Sequence, residues 1–321
     1  MRHIALEEAF SVPEWNADSG WQDIPIDREL GAAWVRKLRD FTEYRLPEMD
    51  ENGIDIQVLS QTVPGIQTDQ DAASARDNAR YANDYLARVV ADHPTRFRGF
   101  AALPMQDPKA AVEELERAVR ELGFCGALIN NHLDGHYLDE PRYEELWSAL
   151  EELSVPLYLH PGAPPADHWQ VLRGRPEMYG AAWSWAAETG GHALRAVFGG
   201  VFDRHPAATL ILGHMGEFLP FMRSRLDSRY NTFALENPLQ HQPSHYIGTN
   251  IVITTSGVFS PATLTGAVLE IGADSVMFSI DYPYESSADS VAFLNSAPLP
   301  PDQLAQLAHG NADRVLRLPN A

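Results

Sequence analysis

The chain alternates two hydrophobic patterns. Short runs that are almost wholly apolar recur at residues 3–7 (HIALE), 55–60 (DIQVLS), 97–103 (FRGFAAL), 125–130 (CGALIN), 155–160 (VPLYLH), 208–214 (ATLILGH), 250–256 (NIVITTS) and 276–281 (VMFSID). They lack the polar alternation of a half-solvated strand, so they predict strands covered on both faces. Between them the period lengthens to three and four. In DPKAAVEELERAVRELG, from Asp107, residues Ala111, Leu115, Val119 and Leu122 share one helical face. Asp107 and Pro108 suit an N-cap and first turn, and Gly123 suits a stop. EPRYEELWSALEEL and DAASARDNARYANDYLARVVADHP behave in the same way. Strand and helix alternating eight times predict a parallel (β/α)8 TIM barrel, with residues 1–321 as a single domain. A doubly wound open sheet is the second architecture, but no glycine-rich phosphate loop follows the first strand to support it.

Two connections are too long for simple turns. Residues 11–50 contain SVPEWNADSGWQDIPID, and residues 161–186 contain PGAPPADHWQVLRGRPEMYGAAWSW. Both are rich in Trp, Pro and Gly and both follow strands, so they are expected as lids or subunit contacts at the C-terminal face, where barrels place their sites.

Composition narrows the partners. A formal charge of −20 and a pI near 4.9 argue against a nucleic-acid or anionic-membrane surface, both of which need basic patches. An anionic small substrate remains compatible if a local cation captures it. No apolar run approaches a membrane span and no basic-then-apolar leader opens the chain, so a cytoplasmic protein is expected. The single cysteine, Cys125, excludes an intramolecular disulfide and a cysteine-rich zinc site, and reads as a small buried hydrophobe.

The chemistry gathers at the strand ends. Glu7 and Glu8 follow the first run, His160 the fifth, His214 the sixth, Thr254 to Ser256 the seventh and Asp281 the eighth. A barrel brings these ends to one mouth, where Glu, His and Asp suit a divalent cation with positions left for water and substrate. Singly, each has an ordinary explanation. A strand-end His is more often a hydrogen-bonded structural residue, Asp281 can cap the turn before Pro283, and one of the two glutamates can be solvated. His93 and His205, each before Pro, read as far-face turn residues; His132, His136, His168, His241 and His245 read as solvated loop histidines.

The motifs ALEEAF, GALIN, PLYLHP, GVFDRHP, LILGHMGE, TTSG and FSIDYPYE, in this order, span nearly the whole chain. The series resembles the metal-dependent aromatic acid decarboxylases of the amidohydrolase superfamily, above all the γ-resorcylate and 2,3-dihydroxybenzoate decarboxylases. The resemblance implies non-oxidative decarboxylation of an ortho-hydroxylated benzoate, with Glu7, His160 and Asp281 holding one divalent metal ion and Glu8 outside the ligand set. It casts Asp281, His214 and Glu217 as catalytic, and Trp21, Trp185, Arg225 and Tyr284 as substrate-binding. Arg225 and Trp185 are expected to reach a neighbouring subunit's site in a homodimer or homotetramer. The aromatic residues also fit plain core or interface packing.

Two positions depart from that pattern. The γ-resorcylate enzymes carry Glu-x-His on the first strand, whereas this chain carries Glu-x-Ala at Ala9, as the 2,3-dihydroxybenzoate type does. Two carboxylates and one imidazole favour magnesium or manganese, with zinc still possible. Relatives often carry Arg after His-Pro, where this chain has Gly162. A metal-dependent lactone or amide hydrolase and an inactive ligand-binding barrel are the competing readings, separated by product mass and by metal content.

Overall fold

The structure is a computed structural model that describes residues 1–18, 21, 24–68, 71–165 and 169–318. The predicted runs are strands: β1 (Ile4–Phe10), β2 (Ile56–Gln61), β3 (Phe97–Gly99), β4 (Ala101–Ala102), β5 (Ala127–Asn130), β6 (Leu157–His160), β7 (Leu210–Leu212), β8 (Ile251–Thr254) and β9 (Val276–Met277). All pair in parallel and in chain order, as a three-stranded sheet β1-β2-β3 and a six-stranded sheet from β4 to β9. β3 and β4 are one bent strand. Across its bend the Phe100 N–H donates to Leu59 O and the Ala101 N–H to Gly126 O, both at 2.9 Å, so the ladder passes from β2 to β5 without a break.

The last strand returns to the first through mixed bonds. Ala9 N–H donates to Tyr282 O at 2.8 Å. Ser279 Oγ accepts the N–H groups of Leu6 and Glu7 at 3.2 and 2.7 Å. The result is the parallel α/β barrel that the alternation predicts. Its interior holds Ile4, Leu6, Val58, Phe100, Tyr158, Ile211 and Met277, while a second layer, including Ala5, Phe10, Leu59 and Leu159, packs under the helices.

Several helices are capped by their own side chains at the N-terminus. Pro108–Arg120 begins with Asp107 accepting the Ala110 N–H at 3.2 Å, and Gly123 leaves it at φ 72°. The two long connections are more ordered than their composition suggests. Residues 11–50 contain the helix Arg28–Leu38 and most of Arg45–Asn52, and residues 161–186 wind through three short 3-10 turns into the helix Ser184–Phe198. His205 stands in a turn ahead of β7, where it is buried between Glu144 and Glu151, at 2.9 and 3.2 Å. His168 lies outside the described residues. No described helix is long and apolar enough to cross a membrane.

Candidate active site

β1 decides which acid faces the mouth. Its register on β2 slips between Ala5 and Glu8. Ile4 and Leu6 point into the barrel, so strict alternation would send Glu7 outward. The irregularity resets the phase, as bulges near active sites do. Glu7 and Ala9 therefore face the mouth, while Glu8 and Phe10 face the outer layer.

Glu7 is held by one oxygen only. Its Oε2 accepts hydrogen bonds from Tyr158, Ser256 and Thr254, whereas its Oε1 is buried without a hydrogen-bond partner. That free oxygen lies 3.4 Å from His160 Nε2 and 3.7 Å from His214 Nε2. His214 Nε2 is in turn 3.5 Å from Asp281 Oδ2. Glu7, His214 and Asp281 form a group whose donor atoms all lie within 4.8 Å of one another. An unpartnered buried carboxylate oxygen facing two imidazole nitrogens and a second carboxylate is the donor set a divalent cation fits.

The two imidazoles differ behind their Nε2 atoms. His160 Nδ1 sits 2.9 Å from the Pro161 carbonyl, which can only accept. Nδ1 therefore carries the proton and Nε2 the lone pair. His214 Nδ1 sits 2.7 Å from the buried carboxylate of Glu217. Burial opposes a charge on His214, but Glu7, Glu217 and Asp281 outweigh it and hold its pKa well above the ordinary imidazole value. Burial and the charge of Glu7 raise Asp281 above its ordinary value, against a bond from His214. Burial would raise Glu7 too, yet His214, His160 and the hydroxyls around it bring it below its usual value. Glu8 faces away, accepting from Ile280 N–H and Ser279 Oγ at 3.1 Å, and burial raises it to about 7.

Above this group opens a cavity of about 600 Å³. Trp21, Trp34 and Tyr284 wall it edge-on, with ring centroids 5.3 to 6.0 Å apart. Trp185 lines the same cavity of its own chain, where a partner's cavity was the expectation. Arg225 does not line it; it is exposed on the helix Arg223–Tyr230. Gly162 is explained by space, since a Cβ there would stand 2.8 Å from Asn130 O.

The family model for amidohydrolases matches residues 3–318. The chain belongs to the amidohydrolase family. This amidohydrolase is 41% identical, over 99% of both chains, to the gamma-resorcylate decarboxylase of Rhizobium sp. strain MTP-10005. It superposes with a TM-score of 0.94 on a 2,6-dihydroxybenzoate decarboxylase complexed with 2,6-dihydroxybenzoate, at 39% identity over 99% and 100% of the two chains. It also matches the dihydroxybenzoic acid decarboxylase of Polaromonas sp. JS666, solved with manganese and the inhibitor 2-nitroresorcinol. There the TM-score is 0.93 and the identity 38%, over 99% and 98% of the chains.

Several site residues of this amidohydrolase escape sequence reading. Tyr158 precedes His160 by two positions on β6 and so shares its face, a signal that strand periodicity carries. Gly213, Trp34 and Glu285 carry none, because their roles depend on contacts between distant segments.

Proposed function

We propose that the protein is a divalent-metal-dependent carboxy-lyase that releases carbon dioxide, without oxidation, from an ortho-hydroxylated benzoate. The observation that carries this reading is the unpartnered Oε1 of Glu7, facing His160, His214 and Asp281 at the floor of an aromatic chamber. The reactions named for its relatives support it.

Glu7, His160 and Asp281 would hold the ion. His160 offers a lone pair backed by a carbonyl, whereas His214 is backed by a carboxylate that suits it to carry a proton. Two carboxylates and one imidazole favour magnesium or manganese over zinc. When bound, the cation supplies charge stabilisation for the substrate carboxylate and its ortho oxygen. Trp21, Trp185 and Tyr284 hold the ring and exclude water. Asp281 gives its proton to the ring carbon that bears the carboxylate. The bond from that carbon to the carboxylate then breaks, its electron pair returns to the ring, and carbon dioxide leaves. His214, 3.5 Å from Asp281 and steered by Glu217, returns a proton to the carboxylate.

Metal-loaded protein incubated with 2,3-, 2,4- and 2,6-dihydroxybenzoate should yield at least one product lighter by carbon dioxide. Survival of the whole set, or products heavier by water, would refute this reading.

We further propose that residues 1–321 work as one unit and that the single buried cysteine suits a reducing cytoplasm. A second copy would cover the exposed Phe218, Phe221 and Met222, which adjoin Arg225 in sequence and form an apolar surface of the kind that marks interfaces. This association would bring Arg225 to a neighbouring chamber. Sedimentation velocity should show a dimer or tetramer; a fully active monomer would exclude the shared site.

A further inference from the structure

The chamber has room for a substituted aromatic ring. Its 600 Å³ falls within the roughly 300–1,000 Å³ of pockets that enclose drug-sized ligands. Most of the lining is apolar, and among the described residues no Lys or Arg of this chain faces it. Besides Asp281 and Glu217, two carboxylates do. Glu177 lies 3.9 Å from Arg175. Glu285 is solvent-exposed, and its carboxylate makes no side-chain hydrogen bond or ion pair with any other described residue.

Glu285 is anchored close to the reacting groups. Its N–H donates to Asp281 O at 3.2 Å. Its stem converges with theirs on Gly257, where a Cβ would meet His214 Cδ2 at 3.3 Å, Asp281 Oδ2 at 3.8 Å and Glu285 Cγ at 3.9 Å. An unmatched carboxylate beside a site for an anion repels the substrate, unless the substrate brings a proton to it. A carboxylate only accepts, so the matching ring group is a donor.

We infer that Glu285 determines specificity by accepting a hydrogen bond from a second ring hydroxyl, set away from the reacting carboxylate, so the site selects hydroxylated rings that are otherwise apolar. The inference rests on the carboxy-lyase reading. A ring whose second hydroxyl is methylated keeps its shape but sets a lone pair against the carboxylate. A site built to bond a hydroxyl rejects an analogue lacking it more strongly than apolar walls reject a methylene.

The test compares dihydroxybenzoates with the ethers in which the second hydroxyl is methylated, using wild type, Glu285→Gln and Glu285→Leu. Wild type should favour one hydroxylated ring over its ether by about tenfold to a hundredfold in kcat/KM, mainly through KM. Glu285→Leu should erase that preference, and Glu285→Gln, which keeps an acceptor oxygen, should restore part of it. No preference in wild type would overturn the inference. So would an equal loss for both members of a pair in Glu285→Leu, which is the result if Glu285 instead pairs with a second copy's Arg225. If no benzoate reacts, the carboxy-lyase reading fails by itself. Tryptophan quenching by 4-nitroresorcinol against 5-methoxy-2-nitrophenol, its ether at the hydroxyl away from the nitro group, then decides the role of Glu285: a wild-type preference lost in Glu285→Leu supports it, and equal affinities reject it.

Discussion

Replacing Asp281 with glycine should cut carbon dioxide release by at least about a thousandfold while leaving the protein as stable as wild type, or more so. The two halves of this result have separate causes. Asp281 sits at φ 80°, in the left-handed region that side chains avoid and glycine does not. His214, Met215, Glu217 and Phe218 share that region, at φ 48°, 58°, 49° and 70°. Such backbone persists at sites where the surroundings hold it in place. Glycine at 281 relaxes the strain and removes a half-buried acid whose charged form its surroundings disfavour. It also removes the proposed ring acid, typically worth about a hundredfold to ten-thousandfold, together with one proposed ligand of the cation. Calorimetry and a carbon dioxide assay on one preparation check both halves. A glycine variant that keeps a tenth of the activity would remove Asp281 from the chemistry. Asp281→Asn, which preserves shape but cannot donate an acidic proton, should be as inactive as the glycine form.

The strands were legible because burial on both faces leaves no other pattern available to them. Their ends were less so. The run at 276–281 pairs as a ladder only over Val276 and Met277. Beyond it, Ser279 N–H donates to Thr255 Oγ1 and Ile280 N–H to Glu8 Oε1. Side chains there replace strand partners, and hydropathy does not report such exchanges. Only the family resemblance separates Glu7 from Glu8 in the sequence. Its physical basis is the slip in β1, which no residue type in IALEEAF announces. His192 carries no signal in the sequence. It lies among small residues on the helix Ser184–Phe198, with Nδ1 2.8 Å from Asn131 Oδ1 and Nε2 accepting the Leu138 N–H at 2.8 Å. Burial pushes its pKa down to about 3, so it stays neutral and ties that helix to the segment after β5. Trp185 is legible as a chamber residue, but that it lines the cavity of its own chain shows only in the structure.

Gly213→Ala should weaken metal binding by about tenfold to a hundredfold without touching any proposed ligand or catalytic group. Gly213 has φ −72°, which any residue adopts, so the backbone itself permits alanine. Space does not. A Cβ would stand 2.5 Å from Glu7 Oε2, 2.8 Å from Oε1 and 3.0 Å from the carboxyl carbon. The side chain cannot swing clear, because Tyr158, Ser256 and Thr254 all bind Oε2. The added methyl therefore displaces the carboxylate that those hydroxyls aim, and losing that aim typically costs ten- to a hundredfold in metal affinity. Overpacking should also lower stability by about 1–3 kcal/mol. Titrating manganese and following the free ion by electron paramagnetic resonance measures the affinity directly. Carbon dioxide release should fall in step and recover at high manganese, since Asp281, His214 and the chamber are unchanged. An alanine variant that binds manganese like wild type would mean that Glu7 does not hold the ion, and the assignment of the first strand would have to be abandoned.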